Sequence, residues 1–114
     1  MAKYECNLYG DFDTFLRSIE KGILSGSLSA SYENGSDFYS GNIRCAVRVY
    51  ERYSMIGKNR VSLNVTVVGN GGEIFLSAIT SGGSQAMFFK INTFGEEAFL
   101  SCLTKIVEDF RRTS

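Results

Sequence analysis

Residues 43–80 read IRCAVRVYERYSMIGKNRVSLNVTVVGNGGEIFLSAIT, and the period of this stretch decides the fold. Ile43, Cys45, Val47 and Val49 alternate with Arg44, Ala46, Arg48 and Tyr50, the period of two of a strand that can run on to Tyr53. Ser54 to Asn59, with Gly57 and Lys58, reads as a hairpin connection. Val61, Leu63, Val65 and Val67 then alternate with Ser62, Asn64, Thr66 and Val68, and Gly69-Asn70-Gly71-Gly72 turns the chain. Glu73 to Thr80 is apolar on both parities, the pattern of a strand covered on both faces or paired at a core edge. Consecutive strands with connections this short form an antiparallel meander.

Upstream, Leu28, Ala30 and Tyr32 alternate with serines and end at Asn34-Gly35, a strong turn dipeptide. A polar loop is expected from there to Gly41. Phe12, Phe15, Leu16, Ile19, Ile23 and Leu24 recur at helical spacing, with Arg17, Glu20 and Lys21 opposite. Asp11 or Asp13 can cap this helix, Gly26 can end it, and Gly22 weakens its last turn by about 1 kcal/mol relative to alanine. Tyr4, Cys6 and Leu8 mark a short first strand.

Downstream, Ser81-Gly82-Gly83-Ser84 breaks the strand pattern. Residues 85–91 read either as a sixth strand or as an irregular run. Thr93-Phe94-Gly95-Glu96 has capping-box spacing, and Phe99, Leu100, Leu103, Ile106, Val107 and Phe110 form a helical stripe. Arg111 and Arg112 close it, where cations favour the helix dipole. The expected fold is a single α+β domain over residues 1–114. It has one curved antiparallel sheet, in the order β-α-β-β-β-β-(β)-α, with two helices packed on one face. This order resembles the TATA-box-binding-protein-like arrangement and its larger helix-grip relatives, which carry ligands in a cavity. In so short a chain any cavity is expected to be small or absent.

Composition narrows the chemistry. The chain has 114 residues, with Lys plus Arg 12 and Asp plus Glu 12 for a formal net charge of zero, which argues against a dedicated nucleic-acid protein. Histidine is absent, so Ser-His-Asp and Cys-His catalysis are excluded and the commonest metal ligand is missing. No acidic pair stands out as catalytic, and an enzyme built on carboxylates or lysine is the weakest of the readings. No cofactor is expected. Cys6, Cys45 and Cys102 are too few and too widely spaced for a disulfide framework or a zinc site, and read as buried thiols. No apolar run reaches signal-peptide or membrane-span length, so a soluble cytoplasmic protein is expected.

Three stretches carry a family resemblance: Arg48 to Ser54 with Gly57 to Arg60, Leu76 to Gln85, and Phe94 to Phe99. Together they resemble a family of short, uncharacterised bacterial proteins known only as a domain of unknown function. The resemblance implies a bacterial, cytoplasmic, single-domain protein and brings no activity or site residue with it.

The first candidate site is the sheet face opposite the helices. If the apolar parity packs on the helices, Arg44, Arg48, Tyr50 and Arg52 point outward, with Arg60 on the next strand beside them. Guanidinium forks with an interleaved tyrosine suit a phosphate or carboxylate. The plainer alternatives are a solvated polar face or a homodimer burying it. The second candidate, Ser81 to Gln85, could form an anion nest, but lacks the lysine and spacing of a P-loop. The third, Met87, Phe88, Phe89 and Phe94 with Phe75 and Phe99, reads first as core and second as pocket lining. The leading functional reading is a non-catalytic module that self-associates and binds an anionic small molecule or a protein. The alternative is a carrier of a small apolar ligand between sheet and last helix.

Overall fold

The computed structural model describes residues 1–26, 30–54, 59–82 and 89–113. The elements are β1 (Lys3–Tyr9), α1 (Phe12–Gly26), β2 (Ala30–Ser40), β3 (Ile43–Ser54), β4 (Asn59–Asn70), β5 (Glu73–Gly82) and α2 (Phe89–Thr113). The strands form one five-stranded sheet in the order β1-β5-β4-β3-β2, every neighbouring pair antiparallel. The α+β architecture expected from the sequence is therefore the one observed. Its shortest extent is 20 Å, the thickness of one helix layer on one sheet.

Both helices supply apolar stripes to one core. Asp11 opens α1: its carboxylate accepts the Thr14 backbone N–H at 2.9 Å and the Thr14 hydroxyl at 2.8 Å. Those bonds, the side-chain one foremost, hold the Asp11 carboxyl below the usual aspartate range. Phe12, Phe15, Leu16, Ile19 and Ile23 of α1 and Phe99, Leu103, Val107 and Phe110 of α2 are buried against Leu63, Val65 and Val67 of β4 and Ile74, Leu76 and Ala78 of β5. Phe15 meets Phe110 edge-on, with ring centroids 4.9 Å apart.

Three local expectations are corrected. Asn34-Gly35 does not end a strand: β2 runs from Ala30 to Ser40, and the hairpin turn falls at Gly41-Asn42, where Gly41 has φ of +57°. Gly35 instead follows a bulge between Tyr32 and Asn34. There the backbone comes so close that a Cβ would sit 2.6 Å from the Tyr32 hydroxyl and 2.8 Å from the Val47 carbonyl. The last helix begins at Phe89, so residues 89–91 are helical rather than a sixth strand and Thr93 lies inside the helix. Third, all three thiols are half-buried rather than fully buried. Expectations for Leu28, for the 55–58 connection and for 83–88, with most of the proposed nest and Met87 and Phe88, fall outside the described residues.

Candidate functional site

The direction in which β3 faces decides where the five candidate residues lie. Residues paired across a sheet share a face, so the register fixes the answer. Ala46 pairs with Val67, Arg48 with Val65 and Tyr50 with Leu63, and those β4 residues lie wholly in the core. Ala46 and Tyr50 are fully buried beneath the helices, and Arg48 is only 8% exposed. Arg44 and Arg52 share their parity. The expectation that Arg44, Arg48, Tyr50 and Arg52 point outward is thus overturned. Arg60, paired with Tyr53, lies on the opposite face, so the structure does not bring the five residues together.

The physical reason is that β4 holds the more apolar parity and β3 must match it. Arg48 is then satisfied by acceptors on α1, on β2 and on its own strand. All five Arg48 N–H donors find acceptors. Nε donates to Glu20 Oε2 on α1 at 2.8 Å, and Nη1 to the Ser36 and Val47 carbonyls at 3.2 and 3.0 Å. Nη2 donates to Asp37 Oδ1 and Oδ2 at 3.0 and 3.3 Å. Burial works against the Arg48 charge, but Glu20 and Asp37 outweigh it and the guanidinium is held protonated more firmly than usual. An anion here would have to displace these pairs.

Arg44 is engaged through its two terminal nitrogens, while its buried Nε has no hydrogen-bond partner among the described residues. Its guanidinium lies 4.5 Å from the Phe12 ring centroid and 4.8 Å from that of Tyr39, and Nη1 pairs with Asp13 at 2.8 Å. Arg60 pairs with Glu51. Tyr50 packs edge-on against Tyr32 at 5.8 Å, and its buried hydroxyl has no hydrogen-bond partner among the described residues. Burial, then the nearby Glu20 charge, pushes the Tyr50 hydroxyl well above the ordinary tyrosine range. Burial likewise raises the Cys102 thiol, which works against nucleophilic use.

The matching family model is described as a family of unknown function (DUF6054), and it covers residues 1–111. The chain belongs to DUF6054. No curated protein matches it. The family resemblance carried by the three stretches is borne out to this extent, and the DUF6054 assignment supplies no ligand.

In this DUF6054 chain the inverted β3 leaves an aliphatic row outside. Ile43, Cys45, Val47 and Val49 face away from the helices. The register places Phe38, Cys45, Val68 and Phe75 in one transverse row, and Val49, Asn64 and Ile79 in another. Phe38 is 62% exposed, Ile79 40% and Ile43 37%. Sequence reasoning assigned the β3 part of this row to the core. The signal that pointed the other way was β5, whose two apolar parities call for cover on both faces.

The described groove is elsewhere, between α1 and α2 on their solvent side. It is an open space of about 500 Å³ lined by Thr14, Ser18, Lys21, Ser25, Ile106 and Asp109, among others. The Ser18 and Ser25 hydroxyls donate to carbonyls of their own helix, to Thr14 at 3.0 Å and Lys21 at 2.7 Å. Phe99 and Leu103, expected beside a carrier pocket, are fully buried in the core. Among the described residues no cluster of three or more Cys, Asp and Glu side chains is placed to hold a metal ion. No helix among them is long and apolar enough to cross a membrane.

Proposed function

We propose that this DUF6054 member is a non-catalytic module whose work is association, and that its partner is a second copy of itself. One observation carries the reading: β3 turns its aliphatic parity outward while Arg48 spends every donor inside the protein. What is left free to recognise a partner on the sheet is apolar rather than cationic. This favours a protein over the small anion that Arg44, Arg48, Tyr50, Arg52 and Arg60 suggested. A cytoplasmic setting, in a bacterium as the resemblance implies, goes with the proposal and rests on the sparse free cysteines. The likeness of the element order to helix-grip domains is kept as topology alone and assigns no ligand.

Native mass spectrometry of the full chain tests the reading. The expected spectrum is dominated by a dimer with no added small-molecule mass. A monomer that retains a discrete anionic adduct, lost when Arg52 is replaced by alanine, would overturn it in favour of the anion.

A further inference from the structure

We infer that the second copy docks face to face on the outer side of the sheet, with β3 of one copy lying over β5 of the other. This rests on the self-association reading and adds the surface and its pairing. Apolar outer residues are most numerous on β3 (Ile43, Cys45, Val47, Val49), with Phe75 and Ile79 on β5, Phe38 on β2 and Tyr9 on β1. Between β3 and β5, β4 shows Ser62, Asn64 and Thr66, with Val68 alone apolar. The β3 and β5 stripes flank β4 at equal distance in the sheet order. A twofold axis lying along β4 therefore maps the β3 stripe of one copy onto the β5 stripe of the other. Val49 then meets Ile79 of the second copy, Cys45 meets Phe75, and Val68 meets its own counterpart. Asn64 also meets its counterpart, where side-chain amides can pair across the axis.

Size and charge fit this occupant. Five strands about 4.8 Å apart and about 10 residues long present about 800 Å², the area each partner contributes to a stable complex of standard size. The charged outer residues are Lys3 and Glu5 on the edge strand, with Glu5 accepting from the Ser77 hydroxyl of β5 at 2.9 Å, Glu73 at one end of β5, and the Glu51–Arg60 pair near the other end of the sheet. A charge-depleted centre inside a polar rim is the anatomy of an interface. Joining copies through the sheet edges is disfavoured at both ends. On β1 the Asn7 carbonyl already accepts from Arg111 Nη2 at 2.6 Å. On β2 the bulge breaks the ladder, and the Ser36 carbonyl is taken by Arg48. Two sheets stacked this way, each with its helices outside, make a four-layer dimer of the aligned-sandwich kind.

Charge-swap variants of the full chain test the pairing by sedimentation equilibrium. Val49→Lys and Ile79→Glu should each weaken the wild-type dimer at least about 30-fold, because each buries an unpaired charge. The double variant should recover most of that loss, because Lys and Glu meet across the interface. A wild-type chain that stays monomeric overturns the self-association reading itself. A wild-type dimer indifferent to both single changes overturns this surface while leaving self-association standing. A dimer broken by both and not restored by the double change overturns the β3-on-β5 pairing. Hydroxyl-radical footprinting of the wild type needs no variant to fold. Phe38 and Phe75 should gain protection with concentration and Leu24 on α1 should not, and the reverse pattern overturns the surface.

Discussion

Tyr50 is fully buried with a hydroxyl that finds no partner among the described residues, while Arg48 two residues earlier has a partner for every donor. A buried hydroxyl without a hydrogen bond costs about 1–3 kcal/mol, and replacing it by a shape-matched apolar group removes that cost. Tyr50→Phe should therefore keep the ring contact with Tyr32 and raise the urea midpoint. A lowered midpoint would mean that the hydroxyl binds something. Asp11 gives a pH signature. Its folded pKa lies below its unfolded value near 3.8, so its contribution is present above that value and lost as pH falls through the lower folded one. Thermal melts of wild type and Asp11→Asn at pH 6 and pH 3 check this. Asparagine also caps but does not titrate, so the wild type should lose more stability than the variant on acidification.

At the scale of elements, much of the fold could be read from local pattern. The helical stripe of α1, the alternation in β3 and β4 and the cap at Asp11 are contiguous signals, and each set its element. Asn34-Gly35 misled because the glycine serves a close approach to Val47 and Tyr32, which exists only once β2 lies on β3. The facing of β3 misled for the same kind of reason: parity is shared through register with β4, and register is not local. That error hid the candidate surface and placed four of the five site residues on the wrong side. Two glycine substitutions separate close approaches that differ in kind. A Cβ on Gly35 meets the Val47 backbone carbonyl, so Gly35→Ala should cost about 1–3 kcal/mol. At Gly22 a Cβ meets the Ile106 side chain at Cδ1, 2.5 Å away, and at Cγ1, 2.7 Å away, so that side chain must shift but no backbone atom stands in the way. The helix there gains about 1 kcal/mol from alanine, which offsets part of the cost, so Gly22→Ala should lose less stability than Gly35→Ala. Equal losses in denaturant unfolding would contradict this distinction.

At the scale of the whole molecule, one face of the sheet is closed by two helices and the other is open, most apolar along β3 and nearly free of charge at its centre. Exposed apolar residues that cluster on one face mark contact surfaces. The most direct measurement is sedimentation equilibrium of the unmodified chain over a hundredfold range of concentration. The expected weight-average mass climbs from the 12.6 kDa of one chain to about twice that value and then levels off. A mass that stays at 12.6 kDa throughout would contradict self-association.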